Sequence, residues 1–248
     1  AMSPVDCIFL DPARRNEHGG KTVAISDCEP NVAKLEGLLL SKANRIMIKL
    51  SPMLDLSQAL KELPHTQEVH IISVNNECKE LLLLLGQTAP EEIPVHCVNL
   101  STKGEQEKQL FVFTREQEQH SECSYTDTLG NYLYEPNASL LKAGAFRSIA
   151  AAYSVKKLHP NSHLYTSETQ IEGFPGRTFR IINRCSLNKK EIKENLSDLK
   201  KANITVRNFP ATVAELRKRI KLAEGGDTYL FASTLNDGQK ILIRCGKV

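Results

Sequence analysis

The sequence predicts an α/β protein in which an open, largely parallel sheet is followed by a small α+β domain. Short apolar runs alternate with amphipathic helical segments over residues 1–116, which is typical of βαβ units. Residues 175–248 instead follow the order β-α-β-α-β-β. The charge also changes: residues 175–248 carry 16 Lys and Arg against 7 Asp and Glu, whereas residues 1–174 carry 16 against 22.

The first predicted strand is the apolar run Val5–Leu10, which ends at Asp11-Pro12. Because the run hardly alternates, we expect a strand that is buried on both faces, with neighbours on both sides. The elements predicted after it are a helix that begins near Pro30, a strand at 45–50, a helix at 56–63, a strand at 69–74, a helix at 78–85, and a hairpin of strands 95–100 and 110–114. A buried first strand leads us to expect that earlier strands and helices precede this chain in the native protein.

We expect the middle of the chain to form a connector. Its polar residues 116–131 indicate a linker, which is followed by one helix at 138–153 and a loop at 159–167. Residues 175–248 carry clearer local signals. Thr212 and Glu215 form a predicted capping box, and Asn236-Asp237-Gly238 predicts a hairpin turn.

The motif best suited to a functional site is Asp11-Pro12-Ala13-Arg14-Arg15. Ligands of open α/β sheets bind beyond the carboxyl ends of the strands, so Asp11 is directed at the predicted site. Pro12 fixes the backbone, and Arg14 and Arg15 are suited to clamp a phosphate or pair with a carboxylate. The alternative is a solvent-exposed turn with an ion pair.

Several motifs in this order resemble bacterial class I methyltransferases with a C-terminal THUMP-like domain. They are Leu10–Arg15, Ser26–Pro30, Lys49–Pro52, Tyr134–Ala138, His159–Asn161 and Ile204–Pro210. The resemblance implies the C-terminal part of a Rossmann-like methyltransferase sheet at 1–116, a linker and short helical, ferredoxin-like connector at 117–174, and a THUMP-like domain at 175–248. It also implies that Asp11, Pro12, Arg14 and Arg15 form the catalytic corner and that Ser51 lies on the same rim.

The resemblance implies S-adenosylmethionine as the cofactor. The glycine-rich loop and acidic residue that hold this cofactor in the family are expected upstream of this chain, so its cofactor-binding residues are unknown. We therefore expect this chain alone to bind S-adenosylmethionine weakly or not at all, and to be inactive by itself. Methyl transfer from a sulfonium depends mainly on positioning, and Asp11 could orient a nucleophilic nitrogen or accept its proton.

Basic residues in the last domain predict contact with a polyanion. Arg217, Lys218 and Arg219 lie on one predicted helix, and lysines decorate the helix before it. Arg207 precedes the turn Asn208-Phe209-Pro210. This turn either contacts the bound polyanion or places Phe209 in the hydrophobic core. THUMP-like domains occur in RNA-modifying enzymes, so the resemblance favours RNA as the partner. Ordinary solubility is the competing explanation for these charges.

The composition excludes several other classes of protein. The seven cysteines lack CxxC spacing, and His159 and His163 lie in a predicted loop with no further ligands, so no metal site is predicted. Buried thiols in a reducing compartment predict a cytoplasmic protein. No apolar run is long enough for a membrane span, and the sequence does not specify an oligomeric state.

The predicted function is S-adenosylmethionine-dependent methylation of RNA. The alternative from a different class is a non-catalytic RNA-binding or assembly protein with a degenerate methyltransferase fold. A methyltransferase that acts on a small molecule or a protein is a third possibility.

Overall fold

The computed structural model describes residues 3–14, 25–102 and 108–248. Arg15, the glycine pair at 19–20 and most of the predicted hairpin loop at 101–109 lie outside these ranges. The chain forms two compact units. The first comprises Ala1–His120 and Asn137–Ala145, and the second comprises Ser121–Pro136 and Phe146–Val248.

Strands and α-helices alternate in the first unit from its third to its fifth strand. Its described elements are β1 (Val5–Leu10), β2 (Ala13–Arg14), a 3₁₀ turn (Ile25–Asp27), β3 (Cys28–Glu29), α1 (Val32–Leu40), β4 (Ala43–Leu50), α2 (Leu56–Glu62), β5 (Thr66–Val74), β6 (Glu77–Gly86), β7 (Pro94–Leu100), β8 (Lys108–Thr114), α3 (Arg115–His120) and α4 (Ala138–Ala143).

The main sheet of this unit has the order β1-β4-β6-β5-β7-β8. The pairs β1–β4 and β5–β7 are parallel, and the other pairs are antiparallel. The predicted α/β class is confirmed, but the sheet is not largely parallel, because three of its five described strand pairs are antiparallel. The burial that was predicted for β1 requires a neighbour on each side, and this chain does not test it. In the described part of the chain β1 pairs only with β4, and Phe9 is 57% exposed because the strand lies at the sheet edge.

The segment predicted as a helix at 78–85 is the strand β6, which lies between β4 and β5 in the sheet. Asn75 and Asn76 have φ of 50° and 64°, the left-handed conformation that a two-residue hairpin turn needs at both positions. This turn folds β6 back along β5. Helix propensity is a weak preference even for leucine, so pairing with two strands overrides the local preference of the Leu81–Leu85 run.

One face of the sheet forms the core of the first unit. Ile48, Leu83 and Val69 lie directly opposite one another on β4, β6 and β5, and all are fully buried. The side chains that alternate with them are half-buried and belong to the opposite face. This second face includes Leu82 and His70.

The second unit is built on one continuous seven-stranded sheet. Its described elements are β9 (Tyr132–Pro136), α5 (Phe146–Ala152), β10 (Lys156–Lys157), β11 (Tyr165–Ser167), β12 (Gly176–Cys185), α6 (Lys189–Leu196), β13 (Asn203–Arg207), α7 (Val213–Ile220), β14 (Thr228–Thr234) and β15 (Lys240–Lys247).

The sheet order in this unit is β10-β11-β9-β12-β15-β14-β13. The predicted β-α-β-α-β-β order from β12 to β15 is confirmed, as are the capping box at the start of α7 and the turn at Gly238. Leu196 of α6 and Leu216 of α7 share one buried cluster with Leu230 and Leu242, so both helices cover the same sheet face. A second cluster covers the other face; its members include Leu133, Leu158, Leu164, Phe179, Phe231 and Ile243.

Three further predictions for the middle of the chain are corrected. The single helix predicted at 138–153 is two helices, because Gly144 takes a left-handed φ of 76° and ends α4. The loop predicted at 159–167 contains β11, whose pairing with β9 could not be read from local sequence. The polar linker predicted at 116–131 starts within the short helix α3.

Gly176 provides a test of how closely β9 and β12 pack. A Cβ atom here would lie 2.1 Å from the carbonyl oxygen of Glu135, so the two backbones would have to separate. Gly176→Ala should lower the free energy of unfolding by about 3 kcal/mol, as overpacked sites do. Urea unfolding followed by circular dichroism measures the loss.

Gly37→Ala is the matched control, since Gly37 lies within α1 and no atom lies within 4 Å of its added Cβ. The control should leave the protein unchanged or stabilise it by up to about 1 kcal/mol through higher helix propensity. Equal losses in the two variants would contradict close packing at Gly176.

Candidate active site and basic surface

A cleft of about 240 Å³ opens in the first unit where β1 and β4 end. The two strands are parallel neighbours, so their carboxyl ends lie at the same sheet edge. Residues from β1, β4 and the start of β6 line it, among them Asp11, Pro12, Lys49, Ser51, Lys79 and Glu80.

Local structure fixes the two strand ends. Pro12 is buried directly after Asp11, which anchors the backbone at the corner while the Asp11 side chain stays exposed. After β4, the Ser51 hydroxyl accepts a hydrogen bond from the backbone N–H of Met53 at 3.2 Å. The Ser51 carbonyl accepts a second bond from the N–H of Leu54. This turn holds Ser51 on the rim of the cleft.

An ion pair dominates the electrostatics of the cleft. The Asp11 Oδ2 atom lies 2.5 Å from the Lys49 Nζ atom. The hydrogen bond to Asp11 is the main cause that raises the pKa of Lys49, and the nearby Glu80 carboxylate adds to it. Lys49 therefore stays positively charged at neutral pH. The side chains of Asp11 and Lys49 are 53% and 32% exposed, so the pair is accessible from solvent.

The structure brings three of the predicted site residues together: Asp11, Pro12 and Ser51 line the same cleft. Arg14 is described only through its backbone, which pairs with Cys28 between β2 and β3. Arg15 lies outside the described residues. Lys49 belongs to the motif Lys49–Pro52, but no role in the site was predicted for it, and Glu80 was assigned to a helix.

The predicted basic surface on α7 is formed mainly by Lys218 and Arg219, which are exposed. Arg219 donates a hydrogen bond to the carbonyl oxygen of Leu187 at 2.8 Å. Arg217 is partly buried and donates to the carbonyl oxygens of Ala202 and Leu222, both at 3.4 Å. Arg217 therefore binds the backbone around the end of α7. Exposed lysines of and after α6 add positive charge: Lys189, Lys190, Lys193, Lys200 and Lys201.

Arg207 lies elsewhere, in a three-residue ion cluster. Its Nε and Nη2 atoms donate to Oε1 of Glu135 at 3.0 and 2.9 Å. Arg177 donates through Nε and Nη2 to the other oxygen, Oε2. Glu135 is 1% exposed, whereas the two arginines are about two fifths exposed at their side chains. We refer to Glu135, Arg177 and Arg207 as the ion triad.

A second cleft, of about 490 Å³, follows β13 in the second unit. It is lined by the turn Asn208-Phe209-Pro210 and by Lys240. Phe209 packs against the helix-covered cluster, while Asn208 has a φ of 53° and its side chain contacts the Nδ1 atom of His159 at 2.9 Å. The turn thus combines a core contact with an accessible polar edge.

The cleft at Asp11 is small for the implied cofactor. Sites that enclose drug-sized ligands have volumes of about 300–1,000 Å³, and the cleft at Asp11 is smaller. Within the described ranges no glycine-rich turn joins a strand to a helix beside it. The described residues therefore do not fit S-adenosylmethionine, and we assign none of them to its binding. In the same ranges one side-chain cluster has the composition of a metal site, namely Glu68, His70 and His96.

Sequence profiles classify the second half of the chain. Residues 132–175 match a ferredoxin-like domain family, and residues 176–247 match a THUMP domain-like family. The two matches meet at Gly176, where β12 begins. The mixed α/β chain therefore contains a ferredoxin-like and a THUMP-like domain.

One solved structure that the chain resembles is a proposed methyltransferase from Porphyromonas gingivalis W83. The two share 40% sequence identity with a TM-score of 0.89, and the match covers 98% of this chain and 60% of that one. This chain thus spans about three fifths of the length of that protein. No curated protein sequence matches it. Of the helices that the structure describes, none combines the length and apolarity needed to cross a membrane.

The ion triad yields a stability prediction. Glu135→Ala leaves Arg177 and Arg207 facing each other without their shared carboxylate. Removing one partner of a buried pair typically costs about 3 kcal/mol or more, so the unfolding free energy should fall by about that amount. The measurement is urea unfolding of the full chain.

Asp198→Ala is the matched control. Asp198 also binds an arginine, Arg244, at 2.7 and 2.9 Å, but its side chain is 62% exposed. Exposed ion pairs contribute little, so the control should lose much less stability. Similar losses in both variants would show that the buried triad is no stronger a constraint than a surface pair.

Proposed function

We propose that this chain carries the substrate side of an S-adenosylmethionine-dependent methyltransferase that acts on RNA. The observation that carries the proposal is the Asp11–Lys49–Ser51 cleft at the carboxyl ends of two parallel strands, the position where open α/β sheets bind ligands. The 40% identity to the proposed methyltransferase supports the same class of reaction.

Asp11 is the residue to which we assign substrate contact. Its Oδ2 atom is held by Lys49, which orients the carboxylate at the rim. In the proposed complex the Oδ1 atom accepts a hydrogen bond from the nitrogen to be methylated, or takes up its proton. Lys49 is a positioning residue, and its positive charge also favours an anionic substrate. Ser51 contributes a hydroxyl on the same rim.

The proposed RNA contact rests on the THUMP-like domain. THUMP domains are associated with RNA binding, and residues 176–247 match a family of this type. The exposed side of α6 and α7 carries lysines and arginines, whereas their other side packs on the sheet. Phosphate neutralisation by such residues supplies binding energy that depends on salt and hardly on sequence. Lys218 and Arg219 are the α7 residues that we assign to it.

Methyl transfer can be tested with the longest gene product that contains this chain, tritiated S-adenosylmethionine and total RNA. Asp11→Asn keeps the shape of the side chain but removes its charge and basicity. Loss of a catalytic base or of substrate orientation typically costs about 100-fold or more in rate, and we expect a loss of this size in label transfer.

Asp6→Asn is the control for this experiment, because Asp6 is exposed on β1, the strand that Asp11 follows, and lies outside the cleft. It should retain full transfer. Label in protein or in small molecules instead of RNA would assign a different substrate class. RNA binding with no transfer to any acceptor would favour the non-catalytic RNA-binding protein.

RNA binding is tested separately on this chain by filter binding over a range of salt concentrations. Replacing both Lys218 and Arg219 with Glu should weaken binding at least about tenfold. It should also lower the slope of log K against log salt by about 1.4, the value for two lost contacts to single-stranded RNA. Arg217 is left intact because its side chain is partly buried and binds two backbone carbonyls, whereas Lys218 and Arg219 are exposed.

A double change of Lys34 and Lys61 to Glu supplies the same change in charge on exposed helical positions of the first unit. Its effect on RNA affinity should be small. If the two double variants bind RNA equally well, α7 is not the RNA-binding surface.

A further inference from the structure

A histidine pair and a carboxylate come together on the second, half-buried face of the first unit's sheet. The Nε2 atom of His70 lies 3.2 Å from Oε2 of Glu68, and the Nε2 atom of His96 lies 3.9 Å from the same oxygen. One ligand atom from each of the three residues lies within 4.8 Å of the others. In a tetrahedral zinc site each ligand atom lies about 2.0–2.2 Å from the ion. The distances between ligand atoms in such a site are therefore similar to those in this cluster.

Strand geometry places these three side chains on one face. Glu68 and His70 are two residues apart on β5, so both project from the same side. His96 lies directly opposite His70 on the parallel strand β7. The arrangement is therefore held by two paired strands inside the sheet, and it does not depend on a loop.

We propose that Glu68, His70 and His96 form a binding site for a divalent transition-metal ion of the zinc type. Two imidazole nitrogens and one carboxylate are the ligand set of zinc sites that leave a fourth position open. Each of the three residues is half-buried, so water can fill the remaining position. This site is separate from the cleft at Asp11 and does not depend on the proposed methyl transfer.

The chemistry of the three side chains suits a cation. A neutral imidazole is the form of histidine that binds a metal ion, and each of the two rings offers one nitrogen to the cluster. The Glu68 carboxylate adds the negative charge that attracts a cation.

The rings must adjust on binding. His70 and His96 are stacked, with ring centroids 4.4 Å apart and planes within 8° of parallel. Lone pairs in parallel rings point along nearly parallel lines, so the Nε2 edges have to tilt toward a shared ion. Torsions of this kind are soft in histidine, which keeps the cost of the tilt small. We expect binding in the micromolar range, weaker than at a preformed structural site.

The experiment is isothermal titration of the full chain, without a polyhistidine tag, with Zn²⁺ at pH 7. One ion should bind per chain. His96→Asn should weaken binding at least about tenfold, since changes to mere outer-shell partners of metal ligands already cost 10–100-fold. His120→Asn is the matched control, because His120 lies on the exposed helix α3 and should leave the affinity unchanged.

Cobalt distinguishes these ligands from the cysteines. Co²⁺ in place of Zn²⁺ should give visible bands without the strong thiolate charge-transfer absorption of cysteine ligation. Circular dichroism of each variant establishes that it is folded. The proposal is overturned if no saturable binding occurs up to about 100 μM Zn²⁺, if His96→Asn binds as tightly as the parent, or if thiolate bands appear.

Discussion

The second unit depends on the shared contact of Arg177 and Arg207 with the buried Glu135. Arg207 ends β13, the last strand of the sheet, and Glu135 lies on β9, four strand positions away. In a flat sheet these strands would be about 19 Å apart, far beyond the reach of one arginine side chain. Direct contact therefore requires the sheet to curl round the cluster of Phe179 and Phe231, and the ion triad closes that curl.

Glu135 also offsets positive charge in a crowded interior. Lys157 is only 2% exposed, donates to the carbonyl oxygen of Pro160 and lies over the ring of Phe146. His163 stacks on the same ring. Burial, followed by the charges of Lys157 and Arg207, lowers the pKa of His163 to about 4, so it is neutral at physiological pH.

Glu135 is thus the acidic member of a region with several basic groups. An isolated buried carboxylate would be costly, and the two arginines make its burial tolerable. Because Glu135 lies in the ferredoxin-like segment and both arginines lie in the THUMP-like segment, the triad ties the two profile-defined segments into one sheet.

The sequence predicted those parts of the fold that depend on local signals. The capping box at Thr212 and the turn before Gly238 involve residues close in sequence, and both are confirmed. The strand β6 was missed because leucine runs suit helices and strands alike, and only its pairing with β4 and β5 decides between them. For the candidate cleft, Asp11 could be predicted from its place after a strand. Its partner Lys49 depends on the register of β1 against β4, which no local pattern specifies.

The registers of the inner strands explain why the cleft and the histidine cluster lie on one side of the first sheet. Lys49, Leu82, His70 and His96 are consecutive partners across four strands, so their side chains share a face. Two strand spacings separate Lys49 from His70, or about 10 Å. That distance is close to the Debye length at 0.1 M salt, so on this open face a bound cation would influence Asp11 only weakly. The two proposed sites are therefore independent of each other. A ligand that coupled them would have to extend from β4 across β6 to β5.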